Sequence, residues 1–160
     1  AVPAGSEGMT MLPYFCGSTI PNYNPNATAT FAGVMLSHTK AHFARATMEA
    51  VAFMLRRNLE YVGVEEGSEI RITGGAASSP LWATMKADVT GKNLFTVTEG
   101  ETACLGTAIL AMVGAGEYAS IPDAANATVI TKKTYRPSGA DYEDAYRRYC
   151  ALDNKLNTKE

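Results

Sequence analysis

"IRITGGAASSPLW", residues 70–82, decides the fold. Ile70 and Ile72 alternate with Arg71 and Thr73, the pattern of a half-buried strand. Gly74 and Gly75 end that strand. Ser79 and Pro80 then open a helix, with serine as N-cap and proline at the first helical position. A strand that passes through glycines into a helix N-terminus offers outward-pointing N–H groups and no Cβ to obstruct a ligand. The bare glycine pair fits two readings: a turn that holds a phosphate or nucleotide, or a tight turn packed against the rest of the protein. The G-x-G-x-x-G spacing of dinucleotide folds is absent. Gly91-Lys92 is followed by Asn93 and has no earlier glycine at Walker spacing.

Upstream lies a long helix, with Ser37 as expected N-cap and Gly63 as stop. Ala44, Met48, Val51, Leu55, Leu59 and Val62 form one stripe at helical period, widened by Phe43, Ala52 and Phe53. Residues 9–36 are rich in turn signals. They predict a short strand around Met9–Phe15, then an irregular excursion anchored by Tyr14, Phe15, Tyr23 and Phe31. Downstream, Leu81, Trp82, Met85 and Val89 line one face of the Ser79–Gly91 helix. "NLFTV" (93–97) is a second strand. Thr98 and Glu101 have capping-box spacing, and their helix runs to about Gly114 with Ala103, Gly106, Thr107, Leu110 and Ala111. Gly116–Thr128 reads as a loop and "VITKKTY" (129–135) as a last strand. Ser138 is the expected start of a helix striped by Tyr142, Tyr146, Tyr149, Leu152 and Leu156. Helices and strands alternate, so the class is α/β. Residues 1–36 form a linker and excursion, and 37–160 form the body.

The apolar fraction of 46% and charged fraction of 19% are those of a soluble globular domain. Net charge is −2 and the basic residues do not cluster, which argues against a nucleic-acid surface. There is no apolar run of membrane-spanning length and no signal peptide. Cys16, Cys104 and Cys150 have no metal or disulfide spacing, which fits a reducing cytoplasm. The chain starts at Ala1 rather than Met, on a linker-like stretch, so a piece of a longer protein is expected.

His38 and His42 stand four apart, a spacing able to bind zinc. Thr39 breaks the H-E-x-x-H motif and no third ligand is near, so no metal site is expected. Arg45 and Glu49 read as a surface pair worth about 0.3 kcal/mol. Gly106 in mid-helix costs about 1 kcal/mol against alanine, which points to a close helix crossing. No Ser-His-Asp or Cys-His set is assembled, so no catalytic residue is assigned.

Five blocks, in order, resemble the C-terminal half of the FGGY carbohydrate kinases: "EGMTMLPYFCG" (7–17), "FAGVMLSHTKAHFARATMEAVAFMLR" (31–56), "ITGGAASSPLWATMKADVTG" (72–91), "ETACLGTAILAMVGAGEY" (101–118) and "YRPSGADYEDAYRRYCAL" (135–152). The resemblance implies an actin-like ATPase fold of two RNase-H-like domains with ATP in the cleft. This chain would be most of the second domain, lacking its first strands. Gly74, Gly75, Ala76 and Ser79 would lie along the adenosine and α-phosphate. Gly106, in "LGTAILA", would cross a helix of the first domain at the hinge, and Arg45 and Glu49 are placed at the same interface. Thr107 replaces an alanine there, and "GSTIP" departs from the family's "GERTP". The family's D-x-G-T strand and its G-D base motif are not found in the chain, so the chain alone is expected to be inactive. The resemblance further implies ATP with Mg²⁺ and transfer to a sugar bound mainly by the other domain. A pentulose such as xylulose is the expected acceptor, with glycerol, gluconate, fuculose or ribulose as alternatives. A stand-alone nucleotide-binding module and an actin- or chaperone-type ATPase are the rival readings. A homodimer is left open.

Overall fold

The structure, a computed structural model, describes residues 2–65, 67–98 and 101–157; within them the side chain of Ala76 lies outside the description. The dominant element is helix α1, Lys40–Tyr61. It starts later than Ser37 because Thr39 makes a reciprocal cap: the Thr39 N–H donates to Nδ1 of His42 at 3.1 Å. Lys40, three residues after Ser37, is a pure donor and cannot accept in that way. Gly63, at φ +68°, ends the helix as expected.

The buried face of α1 is rotated from the expected stripe. Ala46, Glu49, Ala50 and Phe53 are buried, whereas Ala44 is exposed and Val62 keeps 63% of its exposure. Alanines let neighbouring elements approach the helix closely, and the bulkier stripe fills the flanks. Against α1 lies strand β1, Thr10–Leu12, paired antiparallel with β2, Thr30–Ala32, with Met11 opposite Phe31. β2 falls inside the stretch expected to be irregular. The core there is Met11, Leu12, Tyr14, Ala50 and Phe53, closed by Tyr142, Tyr146 and Tyr149 from the last helix. The Phe53 ring lies 6.1, 5.8 and 5.5 Å from those three rings in turn. Burial pushes the Tyr14 hydroxyl up to about 12, and its oxygen sits 3.4 Å from that of Tyr149.

A second sheet orders β3 (Ile70–Ile72), β4 (Leu94–Val97) and β5 (Thr131–Tyr135). β3 and β4 are parallel, with Ile70 opposite Leu94; β4 and β5 are antiparallel, with Leu94 opposite Tyr135. The parallel crossover is helix α2, Pro80–Thr90. Its Ala83 and Ala87 bury onto Leu94 and Tyr135, and its Met85 and Val89 join the main core. Leu81, expected on the buried face, stays 63% exposed.

Helix α3, Thr102–Gly114, begins with Glu101 at the N-cap position. The expected Thr98–Glu101 capping box spans residues 99–100, outside the described residues, and Glu101 sits at the cap itself. Helix α4, Ile121–Thr128, occupies the segment expected to be a loop. The Ser120 hydroxyl accepts from the Asp123 N–H, and Pro122 sits in the first turn. The last helix, α5 (Glu143–Asn157), starts after Ser138, whose N–H and hydroxyl instead bind the Asp88 carboxylate. No helix among the described residues is long and apolar enough to cross a membrane.

Candidate functional site

The turn after β3 is built by conformation, not by packing. Gly74 has φ +79° and ψ −178°, a region essentially restricted to glycine. Its carbonyl accepts from the Ala77 N–H at 3.0 Å, which closes a single 3-10 turn over Gly75–Ser78. The Ser78 hydroxyl donates back to the Gly75 carbonyl at 2.6 Å. Ser79 then caps α2, accepting from the Trp82 N–H at 3.4 Å. Among the described residues, a Cβ built on Gly74 or Gly75 would meet nothing within 4 Å. Gly75 therefore has neither a left-handed φ nor a packed neighbour to account for it. Among the described residues, no packed neighbour accounts for either glycine.

The turn forms one wall of a pocket of about 340 Å³. Ile72, Thr73, Gly74, Ala77, Ser78 and Pro80 line this side. Thr96, Val97 and Thr98 line the floor at the end of β4, and Lys132, Lys133 and Tyr135 come from β5. Of the four residues expected along a nucleotide, Gly74 lines the pocket and Gly75 lies beside it on the turn. Ser79 has its hydroxyl engaged at the cap. Ala76 belongs to the turn, with its side chain outside the description. Sequence reading missed the hydroxyls of Thr96 and Thr98 and the β5 residues. Their signal was the run "TKKTY" at the edge of a short sheet. The pocket sits at the C-terminal ends of two parallel strands, where open α/β sheets carry their ligands.

Apart from its own helix backbone, Gly106 has no heavy atom of the described residues within 4 Å of a built Cβ. It lies on α3, where Ile109 is the buried residue and Leu110 is 60% exposed. The expected close crossing has no partner helix among the described residues.

Arg45 and Glu49 do not form a surface pair. Glu49 is 2% exposed and accepts three bonds, from Gly5 N–H at 2.9 Å, Ser6 hydroxyl at 2.8 Å and Arg45 Nε at 2.8 Å. Arg45 also donates to the Tyr142 hydroxyl at 2.8 Å. The donors that bury Glu49 come from more than forty residues away, so no local spacing announces them. The cluster holds Ser6 and Glu7 at φ +48° and +51°, a conformation rarely adopted by non-glycine residues. The His38 and His42 rings lie 5.0 Å apart, tilted by 34° to each other. His42 is occupied by Thr39 and by Glu7, 3.2 Å from its Nε2. Among the described residues no group of three potential ligands gathers.

The sequence model of the FGGY family of carbohydrate kinases, C-terminal domain, matches residues 1–115. The chain belongs to this family. A probable L-xylulose kinase of Pasteurella multocida is 33% identical over 153 residues, covering 94% of this chain and 31% of that protein. The xylulose kinase of Lactobacillus acidophilus superposes with a TM-score of 0.88 at 26% identity, covering 97% of this chain and 32% of that one. The gluconate kinase of the same organism matches at the same TM-score and identity, covering 99% and 33%. This FGGY chain thus spans about a third of the length of its relatives. Its fold is the actin-like ATPase fold of the family's C-terminal domain.

Proposed function

We propose that this FGGY domain forms the nucleotide side of an ATP-dependent sugar kinase. The Gly74-Gly75 turn carries the reading. It opens bare backbone into a pocket at the strand ends, and none of the described residues fills the space above Gly75. Gly74, Gly75, Ala76 and Ser79 are assigned to the adenosine and α-phosphate. Phosphoryl transfer needs positioning and charge stabilisation more than covalent help from the protein. The described pocket residues suit positioning, since they offer backbone, hydroxyl and lysine ammonium groups and no carboxylate or histidine. The described residues lining the pocket include no carboxylate for Mg²⁺.

The proposed acceptor is a pentulose such as xylulose, as the name of the Pasteurella relative suggests. Xylulose and gluconate kinases match the fold equally well, in keeping with a sugar read mainly by the other domain. The chain by itself is expected to transfer no phosphoryl group. Gly106 and the apolar surface of α3 are assigned to the hinge, where domain closure would bury them. Arg45 and Glu49 serve that interface indirectly, by holding residues 5–7. Three unpaired thiols fit a reducing compartment such as the cytoplasm.

Gly75→Val tests the nucleotide assignment. Two methyl groups would enter the space reserved for purine or ribose, and ADP affinity should fall about a hundredfold, ~2.7 kcal/mol. Calorimetric titration with ADP measures the loss, and a thermal melt checks the fold. Unchanged ADP affinity removes Gly75 from the site. A collapsed melting temperature returns it to a structural role.

A further inference from the structure

We propose that Lys86 is a contact point between this domain and the rest of the kinase, where its ammonium meets a carboxylate supplied from outside this chain. The inference rests on membership of the family and not on the nucleotide assignment.

The side chain carries the first observation. Lys86, on α2, is 8% exposed. Its Nζ lies 4.4 Å from the centroid of the Trp82 ring. Neither an ion pair nor a hydrogen bond reaches the ammonium among the described residues; the bond from the Thr90 hydroxyl, at 2.7 Å, goes to the Lys86 carbonyl. Two buried carboxylates are provided for in full. Glu49 has its three donors, and Asp153 is held by Arg57 and by the Asn157 amide at 2.8 Å. A buried ammonium without an oxygen acceptor is costly, and burial pushes this one below the usual lysine range. An aromatic face offsets part of that cost without neutralising the charge.

The place of Lys86 on the helix supplies the second. Met85 and Val89 turn into the main core, and Ala83 and Ala87 turn onto the second sheet. Lys86 falls between those two faces, one turn after Trp82. The Trp82 indole N–H donates to the Met48 carbonyl of α1 at 3.0 Å. From Met48 a stripe runs along α1 through Val51 and Leu55 to Asn58, away from the buried face of Ala46, Ala50 and Phe53. Val51 and Leu55 are only half-buried, and Asn58 Oδ1 is shut off from water with no donor among the described residues. A donor without an acceptor on α2, and an acceptor without a donor on a half-covered stripe of α1, mark a surface that further polypeptide completes.

The occupant is the remainder of the same kinase. The chain spans about a third of its relatives' length, so most of a relative lies outside it. A carboxylate is the group that neutralises the ammonium; a carbonyl would leave the charge in place. The alternative is a lysine that buries its stem and hydrates its ammonium past the Trp82 ring. Such a lysine is indifferent to the rest of the kinase.

The test places K86M, K86Q and K86R in the intact kinase and in the 160-residue chain. Hydrogen exchange of the α2 amides reads the opening equilibrium of the helix in each. In the chain, K86M should slow exchange about tenfold, because an unpaired buried charge is removed. In the intact kinase it should speed exchange at least about tenfold, because the partner carboxylate is left buried and unpaired. There K86Q should behave as K86M does, and K86R should stay closer to wild type. If K86M does not fold, K86L takes its place. A change of the same sign in both proteins, or none in either, would overturn the proposal. K86Q matching wild type in the kinase would replace the carboxylate by a neutral acceptor and overturn it too. So would a loss that depends on protein concentration, which would move the carboxylate to a second copy. No nucleotide is added, so the outcome is independent of the ADP titrations.

Discussion

Phe53 and Leu110 are both large apolar residues in mid-helix. Phe53 is 4% exposed among three tyrosines, and Leu110 keeps 60% of its surface in solvent. The difference extends to their surroundings. Around Phe53, α1, β1, α2 and α5 close on one another, and even charged Glu49 and Asp153 are buried with partners. Around Leu110, a 13-residue helix without a single charge packs on α4 and presents most of its remaining surface outward. The glycines divide in the same way. Gly33 approaches the Gly8 carbonyl so closely that a Cβ would clash at 2.8 Å, whereas Gly75 and Gly106 face open space. One region explains its residues by internal contacts. The other keeps apolar and glycine positions that no neighbour among the described residues accounts for, which the proposed nucleotide and hinge roles would require.

The largest effect separating the two regions should come from Phe53→Ala, which empties a ring-sized space among tyrosines. It should cost about 3–5 kcal/mol in urea unfolding. A Leu110→Ala control should stay within about 0.5 kcal/mol, as exposed substitutions usually do. Comparable losses at both sites would erase the distinction.

The next effect lies inside the turn itself. Gly74→Ala forces a side chain into the backbone region reserved for glycine and should cost about 1–3 kcal/mol. Gly75→Ala, with open space and no left-handed φ, should change stability by a few tenths of a kcal/mol, read by the same unfolding curves. If the two alanines cost the same, the turn is not built on Gly74.

Much of this was visible in the residues. The Ser79-Pro80 start, the Gly63 and Gly91 stops and the strand "IRI" follow from local chemistry, and the structure has them. The buried face of α1 was not legible, because Ala46 and Ala50 carry little hydrophobic weight in a periodicity count. They matter only once β1 and α5 approach them. β2 escaped because Phe31 in its middle stays 38% exposed and its neighbours Thr30 and Ala32 are only half-buried, so no alternation marks it. α4 carried its cap and proline, but eight residues give too short a stripe to stand out from a loop. At the site, the glycine turn could be read from adjacent residues. The β5 residues of the pocket could not, since about sixty positions separate Lys133 from Gly74.

One further substitution should give a gain. Gly106→Ala should raise the stability of this chain by roughly 0.5–1 kcal/mol, since a helical glycine carries an entropic cost and the added methyl meets nothing. In the intact kinase the same methyl should slow turnover if the hinge assignment is right. A destabilised chain would mean that Gly106 already packs against something within the domain.

Hydrogen–deuterium exchange with and without ADP tests the contrast most directly. Amides of α1, β1 and α5 should exchange slowly and be indifferent to ADP. The Gly74–Ser79 turn, the first turn of α2 and β5 should exchange faster and gain protection when ADP is added. Protection confined to α1 and α5, or none anywhere at saturating ADP, would contradict the assignment of the open region to the nucleotide.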